Sequence, residues 1–339
     1  MSYPKVAVVI VHWNRKQLLE TFLPFVVKST YPNLDIVIAD NNSNDGSQEY
    51  VRTHFPQVKI VQNDDNYGYA GGYNHALKHV KADYYILLNN DIEVPEHWIE
   101  PVIAEMEANK QIGACQPKML DYKNRGSFEY AGACGGYMDR LGYVFCRGRI
   151  FEVLEEDKHQ YETTESIFWA TGACMFVRSE VFHQAGGFDE HFFAHMEEVD
   201  LCWRMQLLGY EIKVVPQSFV YHVGGGTLNK MSPQKTYLNF RNNLIMLTKN
   251  LPISVLIWLI PFRSFLDLLS SIFFLINGFP KYSGAVHRAH ASYFFHIGKW
   301  WKLRKEVKPL YRNNHFNGVY NGSIVARHFI GQTKYYSEL

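Results

Sequence analysis

Short apolar runs alternate with helical patterns through the first hundred residues of this 339-residue chain, and that alternation constrains the fold more than any other feature. Residues 6–11, 35–39, 59–62 and 84–88 read as strands, with helices predicted over 16–27, 47–54 and 70–80. Strands that alternate with helices predict an α/β fold on a mainly parallel, doubly wound sheet. In such a sheet, ligands bind just beyond the carboxyl ends of the strands. Those ends carry His12-Trp13-Asn14, Asp40-Asn41-Asn42, Asn63-Asp64-Asp65-Asn66 and Asn89-Asn90-Asp91. One such cluster is explained by a turn or a helix cap. Four in succession predict a polar site along one edge. The sharpest is "YYILLNNDIEVP", residues 84–95, where a strand apolar on both faces runs straight into Asn-Asn-Asp. A carboxylate there is poorly placed for packing and well placed for holding a ligand.

Bulk properties exclude several classes. The length suits one large or two moderate domains. Lys+Arg 34 against Asp+Glu 33 leaves a net charge of +1, so no nucleic acid partner is expected. The five cysteines are scattered and form no CxxC pair, which points to neither a disulfide framework nor a zinc site. The apolar run in "MSYPKVAVVIVHWN" is too short for a signal peptide and reads as the first strand. A cytoplasmic protein, or one on the cytoplasmic face of the inner membrane, is the expectation.

Beyond residue 112 the pattern changes. Residues 113–177 are irregular and glycine-rich, and the acidic stretch "EVLEEDKHQYETTE" (152–165) reads as a solvated loop. Regular order returns with a strand in "GACMFVRSEVF", a helix across "EEVDLCWRMQLLGY" and a strand at "EIKVVP". Residues 251–279 are strongly apolar but interrupted by Pro252, Pro261, Arg263 and Asp267. A single spanning helix needs about 20 apolar residues in a row, and it would set two charges near mid-bilayer. Two amphipathic helices lying in the membrane interface are therefore predicted. The following "HIGKWWKLRKEVKPLYR" adds basic residues and two tryptophans, a pairing suited to anionic headgroups. Residues 251–312 are thus expected to meet a membrane surface; the competing reading is a buried helical pair with a solvated basic tail.

Three positions stand out chemically. A divalent cation bound to phosphate takes one or two carboxylates, and Asp91 is a candidate, with capping of a helix after Pro95 as the alternative. "AHMEEVDLCWR" sets Glu197, Glu198 and Asp200 in the first turn of a helix, where the macrodipole favours acids. Asp200 and Arg204 stand at i and i+4 and can pair, which leaves Glu197-Glu198 unexplained by pairing. Adjacent carboxylates in a desolvated site raise each other's pKa and suit proton acceptance. His222 ends a strand and precedes a hinge-like loop, 224–233, able to close over a ligand.

These segments resemble the nucleotide-sugar glycosyltransferases of family two, which have the GT-A fold, and resemble most the bacterial rhamnosyltransferase-like branch. The resemblance rests on "VVIVHWNR", "IVIADNNSNDGS", "NYGYAGGYNHAL", "YYILLNNDIEVP", "GACMFVRSEVFHQAGGFDEHFF", "EEVDLCWRMQLLGY" and "VPQSFVYHVGGGT", in that order, over about two-thirds of the chain. "YLNFRNNLIML" (237–247) is similar to the segment that follows in that branch. The resemblance implies a catalytic domain over 1–236, with a nucleotide-sugar half (1–112) and an acceptor half (113–236), and a helical, membrane-associating region over 237–339. It implies that Asn14 and Asp40 contact the nucleoside, and that Asn66 and Gly68 line the donor's ribose and diphosphate. Asn89-Asn90-Asp91 takes the place of the metal-binding Asp-x-Asp motif, with Asp91 and His222 as ligands of Mn2+ or Mg2+. Glu198 falls at the base position, usually an Asp. The longer side chain departs from the pattern, and Glu197 shares the assignment. Arg241 is expected at the diphosphate or paired with an acid. Trp169, Thr171 and Gly172 are expected beside the acceptor, with the indole open for stacking.

The implied activity is an inverting single displacement: a sugar leaves its nucleoside diphosphate as a carboxylate deprotonates the acceptor hydroxyl. The rhamnosyltransferase-like branch favours dTDP-rhamnose as donor, with UDP- and GDP-sugars open. The implied acceptor is a cell-surface glycan, carried on a lipid. A sugar-phosphate nucleotidyltransferase would show a glycine-rich basic loop after the first strand, and "VHWNRKQLL" has no glycine. A catalytically inactive carbohydrate- or membrane-binding relative is the remaining alternative, motivated by Asn-Asn-Asp and the Glu at the base position.

Overall fold

In β1 (Val6–His12), residues 6–10 are all buried, as a strand covered on both faces requires. Successive side chains divide between two cores: Val6, Val8 and Ile10 face one, Ala7 and Val9 the other. The alternation continues through α1 (Lys16–Val27), β2 (Leu34–Asp40), α2 (Ser47–His54), β3 (Lys59–Gln62), α3 (Gly68–Leu77) and β4 (Tyr84–Leu88). The expected α/β pattern is present, with boundaries moved by a few residues. The computed structural model describes residues 3–224 and 232–339. Most of the proposed hinge loop, 225–231, lies outside the described residues.

The chain goes on through β5 (Ile92–Glu93), α4 (Glu100–Ala108) and β6 (Ile112–Asp121). A small second sheet starts with β7 (Gly136–Asp139), β8 (Val144–Cys146), β9 (Arg149–Ile150) and β10 (Val153–Leu154). The main sheet is completed by β11 (Glu165–Ile167) and β12 (Cys174–Arg178), then α5 (Ser179–Gln184), α6 (Glu197–Leu207) and β13 (Glu211–His222). Its order is β11-β13-β6-β12-β4-β1-β2-β3, with β5 on β13. β4, β1, β2 and β3 are mutually parallel, as are β6 and β13, while β12 runs antiparallel between the two groups.

Residues 113–177 were expected to be irregular, yet β6 is a central strand. Pro117 masks it in the sequence, because proline removes a ladder donor. The strand tolerates it at a register shift, where β13 breaks step between Val215 and Phe219. The acidic stretch also departs from a solvated loop: Glu155 is buried and accepts hydrogen bonds from Tyr161 Oη (2.9 Å) and Tyr336 N (2.7 Å).

The remaining helices are α7 (Pro233–Asn250), α8 (Ile253–Ile276), α9 (Pro280–Phe295) and α10 (Ile297–Val307), followed by β14 (Val319–Tyr320) and α11 (Ile324–Phe329). The two interfacial helices predicted over 251–279 are one continuous 24-residue helix, α8, with Pro261 inside it. Its polar residues Arg263, Asp267 and Ser271 recur every four positions and are buried. Arg263 Nη1 donates to Leu141 O (2.7 Å), His290 Nε2 meets Asp267 Oδ2 (2.9 Å), and Ser271 bonds Ser283 and His287. Ile257, Phe265, Phe273 and Ile276 point outward, each more than half exposed. α8 is therefore inverted, with its polar stripe inward and its apolar face outward. The tryptophan pair divides: Trp300 is buried and donates to Tyr293 O (2.9 Å), and only Trp301 is exposed.

Candidate active site

Parallel register brings the strand ends level. His12 pairs with Asp40, Asp40 with Gln62, and Ile10 with Leu88. β12 begins at Cys174 opposite Leu88, so Gly172 and Ala173 arrive at the same edge from the other direction. Asn89 N donates to Ala173 O at 2.9 Å and ties the two ends together.

Asp91 caps no helix. The chain after it forms β5, whose Ile92 pairs with His222 of β13, and that pairing brings two distant residues together. Asp91 Oδ1 lies 3.1 Å from His222 Nε2, and both side chains are buried. Glu129, also buried, stands 3.2 Å from His222 Nδ1. Burial alone would lower the imidazole pKa, but the Glu129 and Asp91 carboxylates outweigh it and raise it to about 10. Without a cation the imidazolium bridges the two carboxylates. A divalent cation that displaces the Nε2 proton would find an oxygen of Asp91 and a nitrogen of His222 side by side, with Glu129 behind the ring, and could take further ligands from phosphate.

The other strand ends form a connected polar network. Asn90 Nδ2 lies 2.9 Å from His12 Nδ1, and His12 Nε2 lies 2.9 Å from Ser47 Oγ. Burial lowers the His12 pKa despite Asp40 and Asp45 nearby, so the ring is neutral. Asp40 is fully buried: Oδ2 accepts from Ser43 N, Gln48 and Gln62, while Oδ1 has no partner among the described residues. A buried unpaired acceptor calls for an explanation, and a donor from a ligand bound above the edge would supply one. Asn14, with φ 54°, turns β1 toward α1 and accepts from Asn44 N at 3.0 Å. Asn66 Oδ1 accepts from Gly68 N (3.0 Å), and Asn41 Nδ2 donates to Gly68 O (2.8 Å). Gly68, at φ +69°, has room for no side chain, because a Cβ would lie 2.7 Å from the Phe193 ring.

Phe193 opens the loop that carries the acid pair. Phe193, His195 and Met196 all have positive φ, between 62° and 72°, an unusual run for residues with side chains. Asn242 of α7, fully buried, holds this loop: its Nδ2 donates to Phe192 O (3.1 Å), Ala194 O (3.0 Å) and His195 O (2.8 Å). Arg241 Nη2 adds His191 O at 3.0 Å and braces Asn242 Oδ1 at 2.7 Å. Below, Asp200 accepts from Arg204, Lys249 and Asn250, so the predicted Asp200–Arg204 pair is part of a larger weld between α6 and α7.

Glu197 and Glu198 start α6 with their Oε2 atoms buried and, among the described residues, unpartnered. The helix N-terminus favours ionised carboxylates by about 0.3–1 kcal/mol, up to about 2 when partly buried. Full burial can shift a carboxyl by about 3–5 pKa units. Glu197 is buried, and Glu198 is half-buried with its Oε2 enclosed, so burial outweighs the dipole at both. Burial and the neighbouring Glu198 charge push Glu197 well above the carboxylate range. Glu198 is raised to about 7 by burial, opposed by backbone N–H groups and Lys235. Of the two, Glu198 is suited to take a proton near neutral pH. Gly172 lies beneath it: a Cβ at that position would meet Glu198 Cβ at 3.6 Å and Tyr69 Oη at 3.0 Å. Gly172 and Ala173 thus link the Glu198 side of the edge to Asn89 and the Asp91 side.

Two expectations need correction, and a third loses one of its two alternatives. Trp169 is not open for stacking: it is buried against Gly136 and donates from Nε1 to Tyr137 O (3.0 Å). Thr171 is buried too, with Oγ1 donating to Ala131 O and accepting from Ala173 N. Arg241 pairs with no acid among the described residues: its Nε and Nη1 bond Asn242 and Tyr237 of its own helix, and its Nη2 reaches His191 O and Phe192 O just before the acid-pair loop. Sequence reasoning missed Glu129 and Asn242. Neither carries a local signal, since each is defined by a partner far along the chain.

Asn242→Asp keeps the shape but removes the donors from three carbonyls. Misplacing a catalytic group by about 1 Å can cost about 100-fold, so kcat is expected to fall about that far with donor KM near wild type. A purely architectural role would lower the melting temperature and leave kcat per folded molecule unchanged.

The mixed sheet, with its polar strand ends gathered beside an acid pair, has the architecture of a GT-A glycosyltransferase. The chain belongs to glycosyl transferase family 2, whose model matches residues 7–186. It is 27% identical over 233 residues to N-acetylglucosaminyl-diphospho-decaprenol L-rhamnosyltransferase of Mycobacterium tuberculosis, covering 63% of this chain and 75% of that protein. It is 26% identical over 223 residues to the O-antigen biosynthesis protein RfbC of Myxococcus xanthus, covering 65% of this chain but only 17% of that one. Among solved structures, it is similar to GalNAc-T7 with UDP, GalNAc and Mn2+ (TM-score 0.56, 18% identity, 73% of this chain and 48% of that one). It is also similar to the mannosyltransferase PcManGT of Pyrobaculum calidifontis with GDP-Man and Mn2+ (TM-score 0.54, 15% identity, 91% and 86%). Identities this low make these two structures a likeness of fold.

Proposed function

We propose that this glycosyltransferase moves a sugar from a nucleoside diphosphate, dTDP-rhamnose foremost, to a lipid-linked cell-surface glycan with inversion at the anomeric carbon. The observation that carries the reading is the single strand edge on which the Asp91–His222 pair and Glu198 meet, joined through Asn89, Ala173 and Gly172. Asp91 and His222 would hold a divalent cation, Mn2+ or Mg2+, which supplies Lewis-acid charge for the leaving diphosphate. Glu129 fixes the His222 ring from behind. Asp40, through its unpaired Oδ1, and Asn14 hold the nucleoside, with Asn66, Gly68, Asn89 and Asn90 along the donor. Glu198 takes the acceptor hydroxyl's proton as that oxygen attacks, and Glu197 keeps its own proton, which limits the charge buried beside it. The decaprenol-linked substrate in the name of the mycobacterial relative supports a lipid-linked acceptor.

Residues 1–236 form the catalytic part in this reading, and 237–339 the membrane-associating part. The outward apolar face of α8 supports peripheral attachment to the cytoplasmic face of the membrane. Residues 251–312 carry nine Lys and Arg against Asp267 and Glu306, a balance that complements anionic headgroups. A spanning role for α8 is disfavoured because Arg263 and Asp267, at its middle, are sealed against Leu141 and His290.

The test is a donor screen. With Mn2+ present, one nucleotide sugar is expected to raise the melting temperature and to be slowly hydrolysed, since a ligand at 100 times its Kd adds about 2.7 kcal/mol. Asp91→Ala should lose both the metal-dependent shift and the hydrolysis. If no donor among dTDP-, UDP- and GDP-sugars binds the wild type, or if Asp91→Ala behaves like it, the reading fails.

A further inference from the structure

A second cationic locus lies on α7, away from the proposed metal ligands. The Tyr237 ring has the guanidinium of Arg241 5.2 Å and that of Arg288 5.7 Å from its centre. Its hydroxyl donates to Ser292 Oγ (3.1 Å) and receives Arg241 Nη1 (3.4 Å). Partial burial opposes ionisation of this phenol, but Ser292, Arg241 and Arg288 together pull its pKa below the ordinary value. Arginine ion pairs among the described residues involve Arg125, Arg147, Arg178, Arg204 and Arg263, and not these two. Two like charges thus share one ring with no carboxylate between them. Like charges held together without a counterion are unfavourable, and an anion relieves them.

The locus also has a position in the chain of contacts. Arg241 touches His191 O and Phe192 O, at the start of the loop that leads to Glu197 and Glu198. Arg288 is exposed on α9, the helix packed on α8. A lipid-linked glycan has three parts in fixed order: hydrocarbon, diphosphate and sugar. The contacts run in a comparable order: α8 packs on α9, which carries Arg288; α9 packs on α7, which carries Tyr237 and Arg241; and Arg241 touches the segment that leads to Glu198. The donor's own diphosphate is accounted for by the Asp91–His222 side.

We propose that Tyr237, Arg241 and Arg288 form the subsite for the diphosphate of the lipid-linked acceptor. This rests on the lipid-linked reading above. The exposed Arg288 guanidinium presents the forked donors that match phosphate oxygens. Arg241, whose Nε and Nη2 are held by Asn242, His191 O and Phe192 O, adds its charge and its Nη1 edge, and the Tyr237 hydroxyl can turn from Ser292 to the phosphate.

The probe is geranyl diphosphate, titrated calorimetrically into the full chain in EDTA without vesicles, with geraniol and inorganic pyrophosphate as comparisons. Wild type should bind geranyl diphosphate at least tenfold tighter than either. Arg288→Ala and Tyr237→Phe should each weaken it, Arg288→Ala by about tenfold, and Arg288→Lys should recover part of the loss. Asp91→Asn should bind as wild type does, because the donor site is not being probed. Equal affinity in wild type and Arg288→Ala overturns the proposal, as does loss of binding in Asp91→Asn. Equal affinity for pyrophosphate assigns the locus to free diphosphate, and an Arg288 effect seen only with anionic vesicles assigns it to headgroups; either result overturns the proposal. Failure of the lipid-linked reading shows separately, as a wild type that hydrolyses its donor but transfers to no prenyl-diphosphate glycan.

Discussion

Glu198→Gln is expected to lower kcat by about 10²–10⁴-fold, the range of a lost general base, with donor affinity close to wild type. The wild-type rate should rise with pH through about 7, where burial has set the Glu198 carboxyl, and the variant's residual rate should lack that step. The same shift makes a stability prediction of opposite sense. The folded pKa lies above the unfolded value near 4.5, so the carboxyl's contribution is fully present below about 4.5 and is lost as pH rises through about 7. Glu198→Gln should therefore melt higher than wild type at pH 8 and lose that advantage in acid. A variant that turns over normally removes Glu198 as the base. If Glu197→Gln is the crippled variant instead, the role belongs to Glu197.

Replacing Ile257, Phe265 and Phe273 together with serine should abolish binding to anionic vesicles. All three are on the outward face of α8, more than half exposed and outside the buried clusters, so the folded body keeps its core. Burying a large apolar side chain contributes about 1.5–3 kcal/mol. Three together exceed about 4 kcal/mol, a change of more than about 1,000-fold in partition. Wild-type binding should also weaken with salt, given the basic excess over 251–312. Cosedimentation measures both. A wild type that ignores vesicles and forms a dimer that the triple variant dissolves would mean that the α8 face meets a second copy, not lipid.

Much of the sheet could be read from the sequence because its strands are short, apolar on both faces and separated by strongly periodic helices. The polar edge was equally visible, since parallel topology turns four local Asn/Asp clusters into neighbours. What failed, failed for identifiable reasons. Pro117 argued against β6, and only the break in step on β13 explains how a central strand accommodates it. Trp169 looked like an open aromatic in a glycine-rich stretch, but Gly136 is what lets the indole bury itself. Glu129 lies 93 positions before His222, and no pattern within "GSFEYAG" marks it as a partner. Asn242 sits mid-helix with nothing local to distinguish it from a solvated residue. α8 was recognised as apolar and interrupted, but its inversion depends on what Leu141 and His290 offer its polar stripe.

The path of the chain after α10 bears on how the protein can be handled. β14 returns to pair with β7, Ile324 N donates to Asp139 Oδ2 at 2.9 Å, and Tyr336 N reaches Glu155. The greasy hairpin is thus spliced into the enzyme like a cassette, and its far end is stitched back into the small sheet. Trimming from the carboxyl terminus unpicks that seam before it reaches α8. A form without the outward apolar face of α8 calls for an internal excision between Asn250 and the return at Val319, with a linker across the gap.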